Sequence, residues 1–260
     1  MKILIISECT PRERIIVYEV LNNFRDVSVI APSGKVSVSN DVKSKKGKAS
    51  FSQRIFKKLH QNALNKKIKG YNLDEIPHET ILVPFSQLNN PESIQLIQNL
   101  KPDILLTCRA PMLSKDLLSI PKIGAINIHY GVPPKYRGND TLFWAFLKKD
   151  FDFIGASVHQ INTGVDRGDI YAVGYPSLQA KDDEVTIDIK TSLVISRAVV
   201  EVLKRVKQEQ QMPKGMKQET LGKNYKKSDR SLSANLSYQF KKNLGLLKPI
   251  PREERIEYFI

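Results

Sequence analysis

Cysteine is scarce: Cys9 and Cys108 are the two in 260 residues. They lie far apart and in no metal or redox spacing, which excludes a disulfide scaffold and a cysteine-held metal. Long apolar runs are missing as well. The longest resemble Ile3-Leu4-Ile5-Ile6, far below the ~18 residues of a membrane span. Met1-Lys2, a short apolar run and then Glu8 make too brief a core for a secretory signal. No internal repeat or low-complexity tract is present. These absences describe a soluble, cytoplasmic chain with no membrane span and no metal.

Acidic residues are also in short supply, 27 Asp and Glu against 41 Lys and Arg, for a formal charge of +14. Such an excess is the footprint of a nucleic-acid binder, but its distribution says otherwise. Residues 42–69 hold ten basic and no acidic residues. Residues 201–230 hold nine basic and four acidic ones, and residues 231–260 five and three. Those stretches carry +17 together, so the rest of the chain carries −3. The body is nearly neutral and the basicity is peripheral. With 41% hydrophobic and 26% charged residues, the chain is ordinary globular material, long enough to bury a core.

Hydrophobic periodicity predicts an α/β fold: a mostly parallel, Rossmann-like sheet flanked by helices, with a short C-terminal extension. Strands are expected at 2–7, 27–31, 79–83, 103–107, 124–128, 153–159 and 169–175. The last two are joined by a turn around Asn162-Thr163-Gly164. Helices are expected from Pro11, from Pro91 to Leu100, and from Glu184 to Glu209 with Asp182 as cap. The basic stretch reads as an insertion over about 33–70, loop to Ser50 and then helical through Phe51, Ile55, Phe56 and Leu59, with Phe51 and Phe56 as helix-face core residues. The catalytic domain is expected over 1–209 and the extension, without assigned structure, over 210–260. Glycine is absent from Ser7-Glu8-Cys9-Thr10-Pro11 after the first strand, which excludes the dinucleotide fingerprint. In such sheets ligands sit beyond the carboxyl ends of the strands, here the loops after Thr107 and Ile128.

At that edge, Asn127 and His129 are two apart on a strand and so share one face. Asp166 follows a turn that returns the chain toward them. Amide, imidazole and carboxylate suit acyl transfer, with donors for an oxyanion and a carboxylate to orient an imidazole or a water. Taken singly, each has a structural use. Asn-x-His ends many strands, Tyr136-Arg137-Gly138 makes a loop, Phe143 and Trp144 suit a core, and Asp166 suits a turn.

Together, Asn127/His129, the proline loop from Pro134 to Gly138, Trp144-Ala145, Gly155/His159 and Asp166/Gly168 resemble the N10-formyltetrahydrofolate-dependent formyltransferase family. The likeness runs from about Lys101 to Tyr175. It implies transfer of a formyl group from N10-formyltetrahydrofolate to a primary amine. Asn127 and His129 then hold the formyl oxygen, while Asp166 positions water and favours a cationic His129. The pterin is implied between Arg109, Ala110, Pro111, Met112 and Leu113 on one side and Asn162 to Val165 on the other. Gly131 and Pro133-Pro134 depart from the family's usual Ser and Leu-Pro.

Three acceptors fit the donor. The missing glycine loop after the first strand argues against glycinamide ribotide. About fifty residues after the long helix fall short of the extra barrel expected for a methionyl-tRNA enzyme. A hydrolase is expected to open on a regulatory domain rather than on the first strand. The resemblance therefore points to a nucleotide-linked amino sugar. Lys135 and Arg137 are the expected pyrophosphate contacts, Tyr130 or Trp144 an aromatic face for a base, and His159 a support for the site. A homodimer through the tail is implied. The alternative is a non-catalytic protein that binds RNA or a membrane surface through residues 42–69. Its only aromatics for base stacking are Phe51 and Phe56.

Overall fold

The computed structural model describes residues 1–33, 51–69, 73, 76–77, 79–162 and 165–260, with side chains in the insertion helix from Arg54 onward. Residues 34–50 of the basic insertion and the turn residues Thr163 and Gly164 lie outside the described residues.

Five apolar runs become adjacent parallel strands: β1 (Ile3–Ser7), β2 (Val27–Pro32), β3 (Ile81–Val83), β4 (Ile104–Cys108) and β5 (Gly124–His129). The sheet continues with antiparallel β7 (Ala156–Gln160), β8 (Ile170–Tyr175) and β10 (Arg255–Tyr258), in the order β10-β8-β7-β5-β4-β1-β2-β3. Side-chain alternation sorts the strand residues onto two cores. Ile3, Ile5, Leu106, Ile126 and Ile128 pack with α1 (Pro11–Asn23) and α6 (Glu184–Glu209). Leu4, Ile6, Leu105 and Ala125 pack with α3 (Pro91–Leu100) and the short α4 (Lys115–Leu118). Both faces are covered, which is why β1 and β4 are buried at every position. No helix among the described residues is long and apolar enough to cross a membrane.

One expectation needs correction. The cap of α6 is Asp183, whose carboxylate accepts from Thr186 N–H at 2.9 Å; Asp182 instead pairs with Lys190 at 2.6 Å. The insertion forms the expected helix, α2 (Phe51–Ile68), on which Ile55 and Leu59 are exposed, at 43% and 59%. Its inward face is Leu64, Ile68 and His60. A polar contact sets that rotation. His60 Nε2 lies 2.8 Å from Asp188 Oδ2 on α6, and Arg12 Nη1 of α1 lies 3.1 Å from the same carboxylate.

This contact makes α2 docking pH-dependent. Burial lowers the His60 pKa, but Glu184 and Asp188 outweigh it, even against Arg12, and raise it above its ordinary value. A raised histidine stabilises fully below ~pH 6.5 and loses that contribution as pH climbs through the folded value. Amide exchange along α2, corrected for intrinsic rates, should therefore show weaker protection at pH 9 than at pH 6. Equal protection at both would remove His60 as the clasp.

The segment after α6 is woven into the body. Met216 exchanges two backbone hydrogen bonds with Ile170, at 2.9 and 2.8 Å. A two-residue strand β9 (Asn224–Tyr225) pairs with β6 (Arg137–Gly138). A further helix, α7 (Leu232–Asn243), follows, and β10 closes the edge of the main sheet. Arg252 ties this last stretch down by donating to the carbonyls of Phe151, Ile154 and Pro176.

Candidate active site

The antiparallel register of β5 and β7 sets Asn127 opposite His159 and His129 opposite Ser157. The parallel register with β4 sets Thr107 beside Asn127. These pairings fix the Asn127 amide. Thr107 Oγ1 donates to its Oδ1 at 2.8 Å, and its Nδ2 lies 3.2 Å from His159 Nε2. His159 Nδ1 donates to the Gln160 carbonyl at 2.9 Å, so the neutral ring presents Nε2 as acceptor to Asn127. One amide N–H of Asn127 is thereby used and the other remains for a ligand. Asn127 is half-buried, whereas His129 and His159 are buried.

His129 donates from Nε2 to the Tyr136 carbonyl at 2.9 Å, which leaves Nδ1 as its basic nitrogen. Asp166 lies between the two imidazoles. Its Oδ2 is 3.5 Å from His129 Nδ1 and its Oδ1 is 3.4 Å from His159 Nε2. The Gly138 N–H donates to Oδ2 at 2.8 Å. Burial works to raise the Asp166 pKa, but the two histidines and Gly138 outweigh it and hold it well below the carboxylate range. For His129, burial outweighs the Asp166 charge and lowers the pKa. Desolvation thus disfavours the His129 cation before reaction, while the nearby carboxylate is the group that favours it. Such a pair can take up one proton at Nδ1 and hold the resulting cation, beside an amide donor that suits an oxyanion.

The expected pterin walls rise from a common base. Ala110 and Leu113 of the loop after β4, and Ile161, which follows β7, pack against the same buried cluster. Asn89 pins the former loop by donating to Met112 O and accepting from Ser114 N–H, at 2.9 and 2.8 Å. Met112 is 71% exposed, Pro111 half-buried, and Asn162 and Val165 exposed at the other wall. Exposed apolar side chains over an apolar base fit a flat heterocycle. Arg109 departs from this wall: its guanidinium turns to Glu8 at 3.0 Å and Glu13 at 3.9 Å.

On the acceptor side the structure corrects Tyr130 and Arg137 and restricts Trp144. Tyr130 is buried, its hydroxyl 2.9 Å from Ser192 Oγ and its ring covered by the Arg12 guanidinium at 4.0 Å. Trp144 is half-buried and stacks one face on Tyr225 at 5.4 Å, which takes that side of the ring. Arg137 is buried, its guanidinium spent on the carbonyls of Val165 and Gly222. Lys135 remains half-exposed, 3.3 Å from Asp150. Among the described residues no group of His, Cys, Asp and Glu is arranged to hold a metal ion.

Thr107, Tyr136, Gly138 and Gln218 all shape the site; sequence reasoning places Tyr136 and Gly138 in the proline loop without a role and singles out neither Thr107 nor Gln218 as a member. Thr107 is recoverable, since it ends the strand beside Asn127. The others act through main-chain groups or across long separations, which a linear pattern does not display.

Comparison with known proteins agrees with this geometry. Residues 29–203 match the formyl transferase family. The chain is 29% identical over 140 residues to the methionyl-tRNA formyltransferase of Caldanaerobacter subterraneus subsp. tengcongensis, covering 54% of this chain and 45% of that one. It is 35% identical over 121 residues to that of Methylacidiphilum infernorum, covering 46% and 38%. The match thus spans less than half the length of these curated relatives. In fold it resembles a 4-N formyltransferase from Francisella tularensis, with a TM-score of 0.59 and 16% identity over 91% of this chain and 86% of that one. It also resembles the formyltransferase PseJ from Anoxybacillus kamchatkensis, with a TM-score of 0.53 and 17% identity over 96% and 95%. PseJ was solved with UDP-4,6-dideoxy-4-formamido-L-AltNAc and tetrahydrofolate. The family match covers most of the chain and takes in Asn127, His129, His159 and Asp166: this protein belongs to the formyl transferase family.

Proposed function

We propose that the protein transfers the formyl group of N10-formyltetrahydrofolate to the primary amine of a nucleotide-linked amino sugar. The observation that carries the reading is the Asp166 carboxylate set between two imidazoles, beside an amide with one N–H to spare.

Each residue has a definable task. Asn127 directs its remaining N–H to the formyl oxygen as negative charge develops there. The amine nitrogen bonds to the formyl carbon, and collapse of the adduct breaks the carbon–N10 bond. His129, neutral before attack, accepts the proton that the amine loses and delivers it toward N10, and Asp166 stabilises the intervening imidazolium. His159 and Thr107 fix the Asn127 amide. Amine and formyl donor become formamide and tetrahydrofolate with no proton gained or lost.

The sugar acceptor is supported by likeness in fold to 4-N formyltransferases along nearly the whole chain, including the segment after α6. With Arg137 buried against carbonyls, half-exposed Lys135 beside Asp150 is the remaining candidate for the pyrophosphate contact. The second reading, methionyl-tRNA as acceptor, is favoured by the names of the curated sequence relatives.

The test is tetrahydrofolate release from 10-formyltetrahydrofolate with nucleotide-linked amino sugars, glycinamide ribotide, methionyl-tRNA or water alone. Turnover is expected with an amino sugar. Turnover with methionyl-tRNA alone moves the assignment to the second reading, and turnover with none ends the enzymatic one. Asn127→Ala and His129→Ala are each expected to lower turnover by ~10² or more. Near-normal turnover in either variant rejects the role of that residue.

A further inference from the structure

Asp166 occupies the left-handed region, with φ at 48°. A non-glycine residue stays there only when its surroundings hold it. Three groups do so. The Gly138 N–H holds the carboxylate at 2.8 Å. Arg137 holds the preceding residue, donating to the Val165 carbonyl from Nε at 3.2 Å and Nη2 at 2.6 Å. Gln218 holds the backbone of the turn: its Nε2 donates to the carbonyl of Asp166 at 3.1 Å and to that of Gly168 at 2.8 Å.

Gln218 comes from the segment after α6, remote in sequence from Asp166. Its place is set by the Met216–Ile170 bridge on one side and by the β6–β9 pairing on the other. Between them, Arg137 Nη1 donates to the Gly222 carbonyl at 3.3 Å, so one guanidinium ties this segment to the Asp166 turn. Both hydrogens of the Gln218 amide nitrogen are used on the turn, while its Oε1 is buried with no hydrogen-bond partner. An acceptor so placed is costly, so the geometry favours the two bonds to the turn over satisfaction of the side chain.

We infer that Gln218 is a positioning residue, which acts through the Asp166 backbone to keep the carboxylate between His129 and His159. The inference rests on the catalytic part proposed for Asp166. A plain structural tie would cost stability when cut and leave the imidazoles as they were. A positioning residue, when lost, moves negative charge relative to His129. The groups that face this imidazole are Asp166, His159 and Arg137, together with the Tyr136 carbonyl. Asp166 is the one anion among them, so a displaced turn registers as a lower His129 midpoint.

Two substitutions in the full-length protein test this. Gln218→Met keeps length and removes both donors; Gln218→Glu keeps shape and sets an acceptor against two carbonyls. The His129 titration, followed by the imidazole proton resonance without ligands, is expected to move down by ~0.5 unit or more in both. Turnover is expected to fall ~10-fold or more, with KM for the formyl donor near the wild-type value. Should either variant fail to fold, Gln218→Asn replaces it, because its shortened amide no longer reaches both carbonyls. A folded variant with an unmoved His129 midpoint overturns the inference, whatever its melting temperature. The titration needs neither formyl donor nor acceptor, so it separates two failures. A moved midpoint in a protein without formyl transfer retains Gln218 as the brace of Asp166 and removes the proposed reaction. Formyl transfer with an unmoved midpoint does the reverse.

Discussion

Asp166→Asn is expected to lower formyl transfer by ~10²–10³, equivalent to about 3–4 kcal/mol of transition-state stabilisation. The substitution keeps the shape and volume of the side chain and removes its charge. Its Oδ2 receives the Gly138 N–H at 2.8 Å, and its two oxygens stand 3.5 and 3.4 Å from the nitrogens of His129 and His159. An asparagine there keeps the hydrogen bond from Gly138 only through its carbonyl oxygen. That arrangement turns its amide hydrogens toward His159, whose Nε2 already receives Asn127. The imidazolium formed when His129 takes a proton then has no counterion in a buried site. Its pKa, already lowered by burial, falls further, so proton uptake comes later and costs more. A turnover within threefold of wild type would leave Asp166 without its assigned part.

The same substitution has a signature in stability. The Asp166 pKa is depressed in the fold, because the histidines and Gly138 outweigh burial. A depressed carboxylate contributes stability above its unfolded value, ~3.9, and loses it as pH falls through the folded value. The wild-type protein is therefore expected to lose stability more steeply than Asp166→Asn below about pH 4. Urea unfolding midpoints of the two proteins at pH 3 and pH 6 make the comparison.

Gly168→Ala is expected to have the largest effect on folding. A Cβ at this position would lie 1.8 Å from the Gln160 carbonyl oxygen and 2.6 Å from its carbon. Both are backbone atoms at the end of β7, where Gln160 N–H is bonded to Asp169 O at 2.9 Å. No rotamer change relieves such a clash, so the turn itself must move. Overpacking of this kind costs ~1–3 kcal/mol or more, and backbone contact places this case at the upper end. Gly168 O is also one of the two acceptors of Gln218. Its movement releases Asp166, and activity should fall beyond what the unfolded fraction explains. Equilibrium unfolding with kinetics at a temperature where the variant is folded measures both. A loss under ~1 kcal/mol would show that the turn has more slack than these contacts imply.

What is legible in the sequence follows from periodicity. β1 and β4 open as apolar runs and are buried throughout, and α1 and α6 carry clear start signals, so pattern alone places them to within a residue or two. Asn127 and His129 are legible because a two-residue period at a strand end fixes which face both share. Asp166 is legible because it follows a turn that the strand pattern places at the same edge. The rest is hidden for identifiable reasons. β6 and β9 are two residues long, too short for any period, and Tyr225 reaches Tyr136 and Trp144 across more than eighty positions. Such long-range stacking takes up one face of Trp144, one of the two aromatics expected to meet a base. On α2 the inward face is led by a histidine and its carboxylate partners while Ile55 and Leu59 are exposed, so apolar spacing alone does not show which side packs. Gln218 donates to carbonyls, and carbonyls carry no residue identity.

The weaving of residues 216–225 across the Asp166 turn also bears on how the enzyme is born. A nascent chain that has grown as far as α6 already contains Asn127, His129 and Asp166. It lacks Gln218, the Gly222 carbonyl and Tyr225, and so keeps only the Gly138 and Arg137 part of the hold on the third of them. Contacts of such separation form late, after the local helices and strand pairs. A chain halted at α6 is therefore expected to emerge folded in large part, with Asp166 less firmly held and turnover reduced.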